Sequence, residues 1–304
     1  MSVPTTTDHQ AGLGRYAPSP SGRLHVGNLR TALLAWLIAK ATDRGFILRF
    51  EDLDPDRTSA ETARQQEEDL SAIGVTWQGT PVFQSQRPAL YEEAITRLEA
   101  KGLVYPCWCT RAELAAAAPH DPQRPYQGTC RDLTEDQRQT KEATAGRPGA
   151  LRARLGDVEV AWDDLVLGPQ SGKASDPILR RFDGVHAYNL AVVIDDSEQG
   201  IDQVVRGDDL ASSVPVQAAL YDALDLPRPQ WGHVPLVIEA DGTRLAKRDG
   251  STTLEDWPSV GTPLAQLGAS LGLCSPSDEA ITAEVLLARF DLRAMPREPW
   301  VFGS

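Results

Sequence analysis

The hydrophobic pattern near the N-terminus predicts a strand, a tight loop and a helix. Residues 14–17 are half apolar, residues 18–22 are a turn of Pro, Ser and Gly, and apolar residues then recur at helical spacing across 29–41. Such a helix N-terminus offers backbone N–H groups and the positive end of the helix dipole to an anion. His25 lies there, and Gly27 lets a ligand approach the backbone. The alternative is an ordinary strand-to-helix connection whose histidine is satisfied within the protein.

A second predicted strand ends in carboxylates. Residues 45–50 are mostly apolar, and an acidic run that begins with Glu51 follows at once. Ligands of open α/β sheets collect at the carboxyl ends of strands, which makes Glu51 a candidate for binding an amino group. The alternative is a solvated acidic loop. Helical spacing then predicts two covering helices over 59–73 and 88–102.

After a long irregular stretch, apolar segments with the spacing of strands and helices occur again. We predict a buried strand over 187–196, a strand over 200–206, a helix over 214–224 and a last strand over 231–238. These elements form a second βαβ half. Helices are predicted over 262–271 and 280–290, with an irregular tail from 293.

The predicted organisation therefore has four parts. These are the first half of a Rossmann-type α/β domain at 1–104, an insertion at 105–182, the second half at 183–240 and a C-terminal region at 241–304. Within the insertion the hydrophobic positions show no regular period until residues 150–154, whose alternation predicts a strand.

Composition limits the class of protein. The chain has 304 residues, of which 41% are hydrophobic, enough for a substantial core in one or two domains. No apolar run is as long as a membrane span and the first ten residues lack a signal-peptide core, so we expect a cytoplasmic protein with no membrane association. We also expect a monomer. The net charge of −13 argues against a generally basic nucleic-acid binder. A local face of Arg180, Arg181 and arginines of the insertion remains compatible with RNA.

Three of the four cysteines lie in the inserted segment. Cys107, Cys109 and Cys130 supply three thiolates suited to tetrahedral zinc, and the fourth ligand is either His120 or Tyr126. Histidine is the commoner zinc ligand. The alternative is a set of ordinary buried and surface thiols. A metal would stabilise a small polar insertion, so the expected role is structural.

Two side chains of the second half are candidates for binding an acidic substrate. Arg206 can present a rigid fork to a carboxylate, and Tyr188 can add a hydroxyl. On the residues alone, a surface ion pair and a core aromatic are the simpler interpretations. The basic, glycine-bounded segment 241–250 likewise has the composition of an ordinary solvated turn.

The segment 18–27 resembles the HIGH signature of class I aminoacyl-tRNA synthetases, in the form of the glutamyl and glutaminyl branch. Asn28 departs from it, because the signature has its second histidine there. The segment 241–250 resembles the KMSKS loop of the same family. Lys247 keeps the lysine that stabilises the pyrophosphate, whereas Arg244 replaces the first lysine and Ala246 lacks the serine hydroxyl.

This resemblance spans 14–247 and implies an α/β class I fold with a Rossmann-type nucleotide-binding sheet. It implies catalytic roles for His25 and Lys247. The implied ATP-binding residues are Pro18, His25, Gly27, Asn28, Arg244 and Lys247. The implied glutamate-binding residues are Arg15, Tyr16, Ala17, Pro18, Ser19, Glu51, Tyr188 and Arg206.

The cysteine pattern resembles that of the short glutamyl-Q tRNA(Asp) synthetases, whose zinc is completed by a tyrosine oxygen. The resemblance implies the ligands Cys107, Cys109, Tyr126 and Cys130, with His120 as the rival fourth ligand. About fifty residues follow the KMSKS-like loop, so we expect a short helical C-terminal region and no anticodon-binding domain.

The resemblance also implies the reaction. The enzyme would activate L-glutamate with ATP and Mg²⁺ to glutamyl-adenylate without tRNA. It would then transfer glutamate to the queuosine base in the anticodon loop of tRNA(Asp). The alternatives are a truncated glutamyl-tRNA synthetase that charges the 3′ end of tRNA(Glu), and a non-catalytic paralogue that binds glutamate or ATP.

Overall fold

The computed structural model describes residues 12–110, 112–114, 126–239, 241–243, 253–254, 257 and 262–302. Its helices are α1 Val26–Ala41, α2 Ala60–Ala72, α3 Pro88–Ala100, α4 Glu135–Ala145, α5 Tyr188–Glu198, α6 Val214–Ala223, α7 Pro263–Ala269 and α8 Ala283–Arg289. Its strands are β1 Gly12–Tyr16, β2 Arg44–Phe50, β3 Val82–Phe83, β4 Val104–Cys107, β5 Ala150–Ala153, β6 Glu159–Asp164, β7 Gly168–Lys173, β8 Ile178–Arg180, β9 Gln203–Gly207, β10 Gln230–Val234, β11 Val237–Ile238 and β12 Trp300–Val301. Among these helices, none is long and apolar enough to cross a membrane.

Five strands form one parallel sheet in the order β3-β2-β1-β9-β10. The first half of the chain builds the sheet outward from β1 on one side, and the second half builds it outward from β9 on the other. The order of strands therefore reverses between β1 and β9, which makes this the topological switch point where ligands of such sheets bind. The predicted α/β class is confirmed.

Both faces of the sheet carry a hydrophobic core. Along β2, Phe46 and Phe50 pack into the core around α1, while Ile47 packs against the core around α3, α5 and α6. Successive side chains of a strand point to opposite faces, so this alternation separates the two cores. The helix α1 is apolar on all sides and its central residues are fully buried, as expected for a helix covered by other elements.

The inserted segment contributes an antiparallel sheet, β4-β5-β8, and a hairpin of β6 and β7. The hairpin packs against the main sheet. The Leu165 N–H, just after β6, donates to the Trp231 carbonyl in β10 at 2.9 Å. On the other strand of the hairpin, a Cβ at Gly172 would lie 2.8 Å from Pro215 Cγ at the start of α6. The hairpin is thereby placed beside the end of β10, which matters for the site below.

The predicted strand over 187–196 is wrong, because these residues form the helix α5. Its apolar residues Leu190 to Ile194 include two valines and are all buried, as are Asp195 and Asp196. A helix that is covered all round shows no 3.6-residue period, and its β-branched residues then resemble a buried strand.

Other predictions differ in detail. The strand predicted over 231–238 is divided into β10 and β11 at Pro235, which has no N–H for a strand ladder. The tail predicted to be irregular contains β12, which pairs with β11. The helix α4 lies in the inserted segment, where no regular hydrophobic period is found. It begins with a capping box of Thr134 and Gln137. None of its residues is buried, so it has no apolar face from which the sequence could predict it.

Candidate active site

A cavity of about 460 Å³ lies at the carboxyl edge of the parallel sheet, where β1, β2 and β9 end. All the predicted glutamate-binding residues and the described part of the predicted ATP-binding set line it. These are Arg15, Tyr16, Ala17, Pro18, Ser19, His25, Gly27, Asn28, Glu51, Tyr188 and Arg206. Arg244 and Lys247 lie outside the described residues, so the KMSKS-like loop stays a prediction.

Arg206 lies near the end of β9 with 6% of its surface exposed. Its Nε donates to His233 Nε2 at 3.1 Å, its Nη1 to the Tyr188 hydroxyl at 3.4 Å and its Nη2 to the Leu210 carbonyl at 3.2 Å. Within the described part of the chain, no carboxylate forms an ion pair with this guanidinium. A buried cation held by neutral acceptors stabilises an anionic ligand, because the ligand supplies the missing counter-charge.

Arg15 lies near the end of β1 and is also buried. Its Nε pairs with Asp196 Oδ1 at 3.3 Å, and its Nη1 donates to the Val205 carbonyl at 3.3 Å. The same Asp196 oxygen pairs with Arg49 Nη1 at 2.7 Å. Burial alone would raise the pKa of Asp196, but Arg49 and Arg15 lower it, so this carboxylate stays ionised and holds both guanidinium groups.

Glu51 follows β2 directly and faces the same cavity. Its N–H donates to the Pro18 carbonyl at 2.9 Å, which ties the end of β2 to the loop that precedes α1. Burial raises the pKa of the Glu51 carboxyl, while Arg49, with Nη2 3.5 Å from Oε1, and Arg15 oppose that rise. The carboxylates of Glu51 and Asp209 and the guanidinium groups of Arg15 and Arg206 therefore line the same cavity at the carboxyl edge of the sheet.

His25 is the N-cap residue of α1. Its Nδ1 accepts from the backbone N–H groups of Gly27 and Asn28, at 3.1 and 3.4 Å. In a neutral ring the proton then lies on Nε2, which is the atom able to donate to an anion. A Cβ at Gly27 would lie 3.0 Å from His25 Cε1, so this glycine makes room for the histidine ring as well as for a ligand.

Sequence reasoning missed Asp164 and His233. His233 Nδ1 is hydrogen-bonded to Asp164 Oδ2, and both side chains are fully buried. Burial alone would raise the pKa of Asp164, but hydrogen bonds from His233 and from backbone amides hold it at about 2. The two residues come from β6 and β10, and neither occurs in a motif. Arg49 and Asp196 were part of predicted strands and received no role.

The three cysteines predicted to bind metal lie together. The sulfur atoms of Cys107, Cys109 and Cys130 are within 4.8 Å of one another, and Cys109 Sγ is 3.6 Å from Cys130 Sγ. The Tyr126 hydroxyl is 3.5 Å from Cys107 Sγ and accepts the Cys130 N–H at 2.7 Å. Tetrahedral zinc with bonds of about 2.3 Å separates its sulfur ligands by roughly 3.8 Å. The group can therefore hold a metal, whereas His120 lies outside the described residues.

A second cavity of about 850 Å³ adjoins the first and shares Ser19, Glu51 and Tyr188 with it. It extends from the carboxyl edge of the sheet to Cys107 and Cys109 in the insertion. Its remaining lining includes the side chains of Arg57, Arg147, Arg181 and Phe182. The Phe182 ring is 51% exposed, and the Arg147 guanidinium lies 4.4 Å from the ring centroid.

A parallel sheet with a cavity at its switch point defines a doubly wound α/β protein, the class whose ligands bind at that point. The family model described as tRNA synthetases class I (E and Q), catalytic domain, matches residues 13–303. The chain belongs to this family of ligases.

Two relatives and one solved structure are similar to this chain over nearly its whole length. The chain is 54% identical to the glutamyl-Q tRNA(Asp) synthetase of Nocardia farcinica over 95% of this chain and 93% of that protein. It is 44% identical to the Symbiobacterium thermophilum protein of the same name, over 94% of each chain. Among solved structures, a glutamate tRNA ligase from Elizabethkingia meningosepticum in complex with its amino acid matches with a TM-score of 0.78 at 25% identity, covering 96% of this chain and 67% of that one.

Proposed function

We propose that the protein activates L-glutamate with ATP, without tRNA, and transfers the glutamyl group to the queuosine base at the anticodon wobble position of tRNA(Asp). Two relatives named glutamyl-Q tRNA(Asp) synthetase match this chain over 93% and 94% of their own lengths, which supports this acceptor over tRNA(Glu). The observation that carries the activation step is the buried Arg206 guanidinium, which lines the first cavity without a carboxylate partner among the described residues.

Glutamate fits the charges of the first cavity. The guanidinium groups of Arg15 and Arg206 suit its carboxylates, and Glu51 suits its ammonium group. The Tyr188 hydroxyl, which accepts a hydrogen bond from Arg206, adds a donor for the ligand. Glutamine has an amide in place of the second carboxylate, so it leaves one buried cation without a counter-charge.

The chemistry is the attack of a glutamate carboxylate oxygen on the α-phosphorus of ATP, with cleavage of the bond to pyrophosphate. The protein orients the two anions and neutralises the charge that develops, with His25 Nε2–H and the Lys247 ammonium as the cationic or donor groups. Pro18, Gly27, Asn28 and Arg244 complete the proposed ATP contacts, and Mg²⁺ supplies further positive charge at the phosphates.

The second cavity is the proposed route for the acceptor nucleoside. It shares Glu51 and Tyr188 with the first cavity, so a nucleoside bound there lies next to the activated carboxyl group. A queuosine hydroxyl attacks the adenylate carbonyl carbon, the bond from that carbon to the phosphate oxygen breaks so that AMP leaves, and the hydroxyl proton is released to solvent. Arg180 is ion-paired with Glu92 and Arg181 with Asp183, so we now assign the basic contacts chiefly to Arg57 and Arg147.

The metal in the inserted segment is proposed to be structural zinc held by Cys107, Cys109, Cys130 and Tyr126. It would join Cys107, at the end of β4, to Tyr126 and Cys130, and the second cavity borders this cluster at Cys107 and Cys109. No chemical step depends on it.

The activation step is tested by glutamate-dependent ATP–pyrophosphate exchange in the absence of RNA. We expect exchange with glutamate and little with glutamine. Arg206→Lys keeps the charge but loses the fork, so the KM for glutamate should rise about 10- to 100-fold. Arg64→Lys, on the exposed face of α2, is the matched control and should change nothing. Equal exchange with glutamine, or no exchange with either amino acid, would refute the proposal.

A further inference from the structure

A chain of hydrogen bonds connects the inserted segment to the proposed glutamate site. Asp164, the last residue of β6, is bonded to His233 in β10, and His233 Nε2 accepts from Arg206 Nε at 3.1 Å. His233 and Arg206 are register partners in the parallel ladder of β9 and β10. The sheet therefore holds the histidine beside the arginine, and the hairpin of the insertion supplies the carboxylate behind it.

The bonds to Asp164 determine which nitrogen of His233 carries the proton. Asp164 Oδ1 accepts three backbone N–H groups, from Val166, Leu167 and His233 at 3.0 Å each, so the carboxylate is fixed in place. Its other oxygen accepts the Nδ1–H of His233. In the neutral ring, Nε2 then has a lone pair, as the bond from Arg206 requires. Burial lowers the pKa of His233, which favours this neutral form.

The pair also limits how Arg206 uses its donors. Its guanidinium has five N–H bonds. One each goes to His233, Tyr188 and Leu210. The two that remain are one on each terminal nitrogen, so both terminal nitrogens can still donate to a ligand carboxylate. With Nε held by the histidine, the terminal edge of the guanidinium is left for the ligand.

We propose that Asp164 and His233 are positioning residues that set the orientation of Arg206 and thereby the selectivity of the site for glutamate over glutamine. This inference rests on the proposed function in one respect, namely that Arg206 binds a ligand carboxylate. The pair touches no substrate. Its effect passes through the hydrogen-bond direction at His233 Nε2.

Asp164→Asn tests this direction with little change of shape. The amide oxygen keeps the three backbone bonds, while the amide nitrogen replaces Oδ2 and donates to His233 Nδ1. The ring then carries its proton on Nε2 and points it at the Arg206 Nε–H. We expect the KM for glutamate in pyrophosphate exchange to rise at least tenfold, with the KM for ATP changed less than twofold. The preference for glutamate over glutamine should fall by the same factor.

A spectroscopic readout separates positioning from general damage. Nitrogen-15 NMR of labelled histidine should show His233 as the Nδ1–H tautomer in the wild type and the Nε2–H tautomer in Asp164→Asn. His233→Gln should retain most of the affinity for glutamate, because its amide can donate to Asp164 and accept from Arg206, whereas His233→Leu should lose it. Arg64→Lys, on the exposed face of α2 and outside both cavities, is the control and should leave the KM for glutamate and the selectivity unchanged.

The outcomes distinguish this inference from the proposed function. If the tautomer changes in Asp164→Asn while the KM for glutamate and the selectivity stay at wild-type values, the inference is overturned. An unchanged tautomer overturns it as well. If the wild type shows no glutamate-dependent exchange but the tautomers are as expected, the pair exists and the proposed function is what fails.

Discussion

At the scale of single residues, the site is a balance of buried charges. Arg15 and Arg49 share Asp196, Arg49 also approaches Glu51, and Arg206 has only neutral partners among the described residues. Because a buried charge without a partner is costly, the position of each carboxylate determines which cation is left for a ligand. Arg206 is that cation here.

Glu51 gives a pH-dependent prediction. The pKa of its carboxyl is raised by burial, so in the window above the ordinary value of 4.5 the folded protein holds this proton more tightly than the unfolded chain. In that window its contribution to stability falls as the pH rises, and its ability to bind an ammonium group falls as the pH drops. We expect kcat/KM for glutamate in pyrophosphate exchange to decline as the pH falls through this pKa.

Glu51→Gln is the control for that profile. The substrate's own carboxylates titrate equally for both proteins, so the difference between the two profiles isolates Glu51. The variant should have a low kcat/KM, and its pH profile should lack the decline that titration of Glu51 causes in the wild type. Its melting temperature at neutral pH should equal or exceed that of the wild type. If the variant keeps the wild-type profile, Glu51 does not bind the amino group.

The sequence placed Arg15, Glu51, Tyr188 and Arg206 in one site through the resemblance and the rule that ligands bind at the carboxyl ends of strands. The structure brings all four to one cavity. Asp164 and His233 were not predictable, because their contact joins residues 69 positions apart and depends on where the hairpin packs. Contacts of this kind leave no local pattern.

At the scale of elements, amphipathic and N-terminal segments were predicted well. Strand β2 and helices α2 and α3 end within one to two residues of their predicted bounds. The exception is α5, whose apolar run resembles a buried strand because packing covers every side of it. Helix α4 shows the converse, since an exposed polar helix has no apolar period to detect.

The cluster of Cys107, Cys109 and Cys130 in the inserted segment predicts that the protein binds a metal ion. We expect zinc in the purified protein, and Tyr126→Phe should weaken its binding at least about tenfold, because the hydroxyl near Cys107 Sγ is lost. The measurement is zinc release to a chromophoric chelator at several concentrations. His120→Ala should leave affinity unchanged. The opposite pattern, with release from His120→Ala and retention in Tyr126→Phe, would make histidine the fourth ligand.

At the scale of the whole molecule, two cavities meet at one edge of the sheet. The first lies where strands from both halves of the sheet end, and the second extends to the inserted segment. On the proposed assignment of the two cavities, activation and transfer have adjacent sites that share Glu51 and Tyr188. This arrangement predicts that some substitutions impair transfer and leave activation intact.

Phe182 is the residue best placed to show that separation. Its ring is half exposed beside the second cavity and Arg147, a combination suited to stacking an RNA base. Loss of base stacking costs about 1–3 kcal/mol, so Phe182→Ala should lower kcat/KM for transfer to RNA roughly tenfold or more without changing pyrophosphate exchange. Phe182→Tyr should retain transfer. Val158→Ala, a similarly exposed apolar residue just before β6, is the control.

Equal losses of exchange and transfer in Phe182→Ala would contradict this separation of the two cavities. So would full transfer by the alanine variant, since it would place the acceptor elsewhere.

The most direct test of the account is transfer of labelled glutamate to purified tRNA(Asp), with and without queuosine, alongside tRNA(Glu). Nuclease mapping then identifies the labelled nucleotide. The account predicts label on the queuosine nucleotide of tRNA(Asp) and on neither of the other two RNAs. Label at the 3′ end of tRNA(Glu), or no transfer to queuosine-containing tRNA(Asp) by an enzyme that performs exchange, would contradict it.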